Sequence, residues 1–256
     1  MAINIISDMD GVIYRGGNLI PGAKDFVDRM ISKKIKFLFL TNNSEQTPID
    51  LLRKLEHLGI EGLTEENFIT SAMATATFLK NQKAGSSAYV IGGAGLSSAL
   101  YNVGFSITEK NPDYVVVGKT SSLNFEMLKK AVNFISNGAK FIASNPDVID
   151  PVENGFEPAA GAIIAAIEKS TNKKPYIVGK PNSLMMMIAK NQLGVHSADT
   201  MMIGDRMDTD IVGGMEAGMK TCLVLSGVTS TDMIREFPYT PDYVFDNVGQ
   251  IDFSKL

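Results

Sequence analysis

The chain has 256 residues, 45% of them hydrophobic, with 24 basic against 28 acidic side chains, a net charge of −4 and a single cysteine. That length and apolar content suit one large domain or two modest ones and argue against disorder. A weakly acidic chain without long basic runs offers no footprint for nucleic acid or an anionic membrane, and a lone thiol forms no internal disulfide, which fits a reducing compartment.

Short apolar runs alternate with helical patterns. "INIIS" (3–7) reads as a buried strand that stops at Asp8, with Asp10 and Gly11 just beyond. Ala23, Phe26, Val27, Met30 and Ile31 share one helical face. "KFLFL" (36–40) is the second strand, and Thr47-Pro48 opens a helix whose stripe is Leu51, Leu52, Leu55 and Leu58, ended by Gly59. "NFIT" and "SAMATATFLKNQ" continue the alternation, and the polar run "KNQKAGSS" (80–87) reads as a linker. A second series follows through "AYVIGG" (88–93), "YVVVG" (114–118), "FIASN" (141–145) and "YIVGK" (176–180), with helical patterns between. After Pro181 come a Met-rich helix (184–193), "TMMIGD", a short helix, "KTCLVLS" and "DYVF" (242–245). Such alternation predicts an α/β fold of parallel sheets covered by helices.

Several motifs fail on inspection. "DMDG" opens like a calcium loop, but Val12, Ile13 and Leu19 occupy positions that need an oxygen ligand, a glycine and a glutamate. "VVVGKT" (115–120) lacks the earlier glycine of a phosphate-binding loop, because Asp113 stands there. In "GGAGLSS" Ser98 replaces the third glycine of a dinucleotide fingerprint. His57 and His196 lack metal-ligand spacing and read as surface or capping residues; Met185–Met187 and Cys222 read as core. The longest apolar run, "AAGAIIAAI" (159–167), is far shorter than the ~20 residues of a membrane span. With no signal-peptide layout at the amino terminus, the expected location is the cytoplasm.

Four places join a strand end to polar chemistry: Asp8/Asp10, "TNNS" (41–44), "GKP" (179–181) and "GDRMDTD" (204–210). Ligands of open α/β sheets bind beyond the carboxyl ends of the strands, so these segments are expected to meet. Together they suggest phosphoryl transfer. Asp8 is a carboxylate able to attack phosphorus. Mg²⁺ with oxygen ligands relieves the repulsion between two anions, and Asp8 and Asp205 supply suitable carboxylates. Lys180 offers a compact positive charge, and Thr41, Asn42 and Asn43 offer hydroxyl, amide or main-chain donors. Asp10 can move the proton if nearby negative charge raises its pKa.

The ordered set "DMDGV", "LTNNS", "VGKP" and "GDRMDTDI" resembles the haloacid dehalogenase-like (HAD) phosphatases, and "TSAMATA" (70–76), "SNPD" (144–147) and "LVLSGVT" (223–229) narrow this to the NagD-type, class IIA branch. The resemblance covers essentially the whole chain. It implies a Rossmann-like core, expected at 1–80 and 179–256, with an α/β cap at 81–178 that sets specificity. Spacing agrees, since 33 residues separate Asp8 from Thr41 and 139 separate Thr41 from Lys180. Carried over by resemblance, Asp8 is the nucleophile and Asp10 the general acid/base. The Mg²⁺ ligands are the Asp8 carboxylate, the Asp10 carbonyl and Asp205, while Thr41, Asn42, Asn43 and Lys180 hold phosphate. Asp210 is favoured over Asp208 as the outer partner of the metal site; Asp208 suits a helix start. "SNPD" and "PAAGA" (158–162) are expected to face the ester, with Gly161 serving either a ligand's approach or helix-start packing.

The implied partner is a small phosphorylated metabolite: a nucleoside monophosphate such as UMP, a sugar phosphate, or another small ester such as pyridoxal phosphate, glycerol phosphate or 4-nitrophenyl phosphate. No nucleic acid polymer or membrane is implied. A homo-oligomer through the cap is compatible with the sequence, though no residue pattern demands one. The rivals fit less well. A receiver domain is about half as long and has an adjacent acidic pair; a binding protein without catalysis would not need the full motif set. Mutases usually carry their cap between the first two motifs, and dehalogenases do not use the second aspartate as acid/base.

Overall fold

The strand expected at 3–7 forms over Asn4–Ser7 and sits inside a six-stranded sheet. A computed structural model describes residues 3–152 and 155–253. Across the sheet the order is Tyr243–Phe245, Lys220–Val224, Thr200–Gly204, Asn4–Ser7, Phe37–Thr41 and Phe68–Thr70. Asn4–Ser7 runs parallel to both neighbours. Its strand partners lie on opposite sides in chain order: the chain leaves toward Phe37–Thr41 and returns only at Thr200–Gly204. A topological switch point therefore falls between Asn4–Ser7 and Thr200–Gly204.

The apolar stripes explain the helices that cover this sheet. Ala23–Ser32 buries Ala23, Phe26, Val27 and Met30, while Ile31, at the edge of the stripe, is exposed. Pro48–His57 buries Leu51 and Leu55, with Leu52 and Leu58 only partly covered. Both helices pack on one core with Ile5, Phe39, Met201 and Cys222. Met185 and Met186 of helix Ser183–Leu193 are buried as expected, but Met187 is exposed.

A second sheet has five parallel strands in the order Tyr176–Ile177, Lys140–Ala143, Tyr114–Val117, Ser87–Ile91 and Ser106–Ile107. Ile91, Val115 and Val117 pack against Ile135 of helix Phe125–Ser136 and Ile163 and Ile167 of helix Ala160–Thr171. An antiparallel hairpin, Ile149–Val152 with Gly155–Pro158, adds to this part and lies outside the sequence expectation.

The chain divides into two compact units, one of residues 1–41, 48–69 and 180–256 and one of residues 42–47 and 70–179. Residues 70–80, expected with the first, belong with the second through helix Ser71–Gln82. Of the polar run 80–87, residues 80–82 finish that helix, 83–86 connect it within the second unit, and Ser87 opens strand Ser87–Ile91. Among the described residues no helix is long and apolar enough to cross a membrane.

Candidate active site

Three carboxylates converge in the first unit, and the switch point explains two of them. Asp8 follows Asn4–Ser7 and donates its main-chain N–H to the Ile203 carbonyl at 2.8 Å. That bond extends the parallel register by one residue and brings Asp8 beside the end of Thr200–Gly204, where Asp205 follows. Asp210 arrives by a different route. Residues Met207–Ile211 form a widened helical turn in which the Ile211 N–H reaches back five residues to the Arg206 carbonyl at 3.1 Å. Such π-type turns re-aim side chains and recur at functional sites. One oxygen from each of Asp8, Asp205 and Asp210 lies within 4.8 Å of the others.

Burial makes this cluster electrostatically costly. Relative exposures are 7% for Asp8, 2% for Asp205 and 0% for Asp210. Among the described residues Lys180 is the only buried cation; its Nζ lies 2.8 Å from Asp8 Oδ1 and 2.6 Å from Asp210 Oδ1. Burial opposes the Lys180 charge, but Asp210 and Asp8 outweigh it and raise the pKa, so the ammonium stays charged. Burial pushes all three carboxyls the other way. Asp8 is raised despite the pull of Lys180, Asp205 is raised well above the usual range with help from Asp8, and Asp210 is raised to about 6. Three carboxylates against one ammonium leave negative charge that burial penalises. An all-oxygen donor set with that excess suits a metal ion.

Missing side chains make room for these groups. A Cβ on Gly204 would overlap the Asp210 carboxyl, and one on Gly227 would overlap that of Asp205. Gly11, at φ +74°, would place a Cβ 2.5 Å from Asp205 Oδ2. The loop after Lys220–Val224 then closes on the site: the Val228 N–H donates to Asp205 Oδ2 at 2.7 Å, and Ser226 Oγ donates to the Gly11 carbonyl at 2.7 Å. In the sequence these loop residues stand out only through the family stretch "LVLSGVT", and their turn glycine is the one local signal of the close approach.

Asp10 is exposed at the start of a tight turn in which the Gly11 N–H donates to the Tyr14 carbonyl at 2.8 Å. Strand pairing of Asn4–Ser7 ends before it, so burial separates Asp8 from Asp10. Behind the turn Lys54 sets its ammonium 3.5 Å from the centre of the Tyr14 ring, a cation–π contact that the sequence does not announce. Thr41 is buried at the end of Phe37–Thr41 in the first unit. Asp208 is exposed and pairs with Arg206 at 2.9 Å, whereas Asp210 accepts the Arg206 N–H at 3.2 Å.

Asn42 and Asn43 belong to the second unit. The Asn43 side chain shapes its own turn, its Oδ1 accepting the Glu45 N–H at 2.8 Å and the Gln46 N–H at 3.3 Å. Asn145 of "SNPD", expected to face an ester, is buried and donates from Nδ2 to the Asn42 carbonyl at 2.8 Å. A Cβ on Gly161 would meet main-chain carbonyl oxygens of Pro146 and Asp147, so this glycine serves packing at the helix start.

The haloacid dehalogenase-like hydrolase model matches residues 5–106, and a HAD-hydrolase-like model matches 177–251. Over 253 residues the chain is 44% identical to the dihydroxyacetone phosphatase of Corynebacterium glutamicum (strain R), covering 98% of this chain and 92% of that one. It is 43% identical to the ribonucleotide monophosphatase NagD of Escherichia coli (strain K12), covering 97% and 98%. The chain belongs to the HAD-like hydrolases, in their NagD-type phosphatase branch. The solved structure of NagD from E. coli K-12 superposes on this HAD phosphatase with a TM-score of 0.93 at 43% identity, covering 99% of this chain and 100% of that one. A p-nitrophenyl phosphatase from Archaeoglobus fulgidus gives 0.93 at 33% identity, covering 100% and 99%. As a HAD phosphatase the chain is a phosphomonoester hydrolase, and the Asp8, Asp205 and Asp210 cluster matches the need of this family for a metal site.

Proposed function

We propose that this phosphatase hydrolyses small metabolite monoesters through an aspartyl-phosphate on Asp8, with Mg²⁺ as its metal. The observation that carries the reading is the buried Asp8 carboxylate at the switch point, 2.8 Å from Lys180 Nζ and grouped with Asp205 and Asp210. The Asp8 and Asp205 carboxylates and the Asp10 carbonyl would hold Mg²⁺, which when bound offsets the charge of carboxylate and phosphate. An Asp8 oxygen attacks phosphorus as the bond to the ester oxygen breaks, and Asp10 gives that oxygen a proton. Asp10 then takes a proton from water; the water oxygen bonds to phosphorus, and the bond to Asp8 breaks. Lys180, Thr41, Asn42 and Asn43 hold the phosphoryl oxygens. Asp210 keeps Lys180 in place from its far side, at 2.6 Å.

In this reading the first unit performs the chemistry and the second acts as the cap that chooses the ester. The substrate class is the sugar, triose and nucleoside 5′-monophosphates, supported by relatives named as dihydroxyacetone, ribonucleotide and acid sugar phosphatases. A phosphate-release screen tests it directly. Dihydroxyacetone phosphate, sugar phosphates, UMP and pyridoxal phosphate are each supplied with Mg²⁺ and again after EDTA. Release from at least one monoester, lost in EDTA and restored by Mg²⁺, is the expected result. No release from any ester, or full activity in metal-free buffer, would sink the proposal.

A further inference from the structure

The loop that follows strand Lys220–Val224 crosses the end of a neighbouring strand. In the sheet order Lys220–Val224, Thr200–Gly204, Asn4–Ser7, the middle strand carries Asp205 just past its end. Leu225 still keeps to the ladder, its N–H donating to the Phe245 carbonyl on the outer side at 2.9 Å. The chain then turns the other way. Ser226 Oγ donates at 2.7 Å to the carbonyl of Gly11, in the turn that follows Asn4–Ser7 two strands along. The return leg fastens Asp205 twice: the Val228 N–H donates to its Oδ2 at 2.7 Å, and the Thr229 N–H to its main-chain carbonyl at 3.1 Å. Residues 226–229 thus form a strap over Asp205, and the strap and everything it touches here belong to the first unit.

Ser226 is the far fastening of that strap. Its bond joins positions 215 apart in sequence, and because the acceptor is a carbonyl, the hydroxyl is the donor. The side chain is half-buried. Gly227, next along, adds no stiffness of its own, since glycine has the widest choice of backbone angles. The approach is nevertheless close: a Cβ on Gly11 would lie 2.9 Å from Gly227 Cα. The Ser226 bond holds the strap down on the Gly11 turn and so keeps the Val228 N–H on the carboxylate beneath. Carboxylates that bind metal depend on such outer hydrogen bonds for their orientation. We infer that Ser226 is a positioning residue of this phosphatase, which through the 226–229 strap holds the Asp205 carboxylate in the orientation that binds the metal. This rests on the metal-holding role proposed above for Asp205.

The test titrates Mg²⁺ into wild type, Ser226→Ala and Ser226→Cys by isothermal calorimetry, and melts each protein in EDTA and in a fixed excess of Mg²⁺. Ser226→Ala removes a single oxygen. Loss of one such hydrogen bond is expected to raise the Mg²⁺ dissociation constant about fivefold. The melting temperature should then fall further in Mg²⁺ than in EDTA, because a more weakly bound ion stabilises the folded state less at the same concentration. A merely structural hydroxyl would lower both melting temperatures alike and leave the dissociation constant at its wild-type value. That result, with Mg²⁺ binding to wild type, overturns this inference and leaves the proposed function standing. A wild type that binds no Mg²⁺ overturns it together with the proposed metal. Ser226→Cys keeps a similar side chain with only a weak donor. Weaker binding is expected there too, and this variant decides should Ser226→Ala fail to fold.

Discussion

Replacing Lys180 by Met tests the electrostatics of the site most sharply. The substitution keeps much of the side-chain volume and removes the ammonium that lies 2.8 Å from Asp8 and 2.6 Å from Asp210. Each carboxylate is then buried beside others with no ammonium between them. Breaking a buried ion pair costs about 3–5 kcal/mol because the surviving charge has nowhere to go. Protonation is the escape. Asp210 already sits at about 6, and losing Lys180 moves it higher. At pH 7.5 in EDTA the variant is therefore expected to lose stability of about 3 kcal/mol. At pH 5.5, where the carboxyls take up protons, the loss should shrink to well under half of that. Urea unfolding followed by circular dichroism at the two pH values measures both. An equal loss at pH 5.5 and 7.5, or a negligible one at pH 7.5, would refute the reasoning.

The metal-free wild type should show the same physics. A carboxyl whose folded pKa is raised stabilises the protein below its unfolded value and loses that contribution as pH climbs through the folded one. For Asp210, raised from 3.8 to about 6, this amounts to about 3 kcal/mol lost between roughly pH 4 and 7, and Asp8 and Asp205 act in the same direction. Melting in EDTA should thus occur at a lower temperature at pH 7.5 than at pH 5, and a rise instead would count against the cluster. Gly227→Ala forces a methyl into the Asp205 carboxyl; it should cost about 1–3 kcal/mol and raise the Mg²⁺ concentration needed for activity. Wild-type stability and metal response in that variant would contradict the packing. Cys222 is buried, with its thiol pushed up to about 12. It should resist thiol reagents in native buffer and react in urea, so rapid labelling of the native protein would show that its core opens.

The clustered carboxylates Asp8 and Asp205 are readable because parallel strands are continuous apolar runs that stop at polar groups. "INIIS" stops at Asp8 and "TMMIG" at Asp205, and both ends lie at the switch point. The pairing of Lys180 with Asp8 follows from charge alone. The widened turn that carries Asp210 does not, because a bond reaching back five residues leaves no period in the sequence. Asn145 reads as part of a loop facing the ester, since its partner lies 103 positions away and nothing local implies burial. The hairpin Ile149–Val152/Gly155–Pro158 carries Pro151 and Pro158, which argue against strands; a two-stranded ribbon has free edges that accept them. For the same reason the sequence reads with a unit boundary near 80. Helix Ser71–Gln82 follows the first-unit strand Phe68–Thr70 in sequence but groups with the second unit in space.

The central claim is that the phosphoryl group passes through Asp8. In the proposed mechanism Asp10→Asn removes the base for the second step, so the intermediate should accumulate in that variant. The variant is mixed with 4-nitrophenyl phosphate and Mg²⁺, quenched in acid and reduced with borohydride, which converts an acyl phosphate of aspartate into homoserine. Peptide mass spectrometry should then find homoserine at position 8 only when substrate is present. Substrate-dependent modification at another residue, with Asp8 intact while 4-nitrophenol is released, would contradict the account.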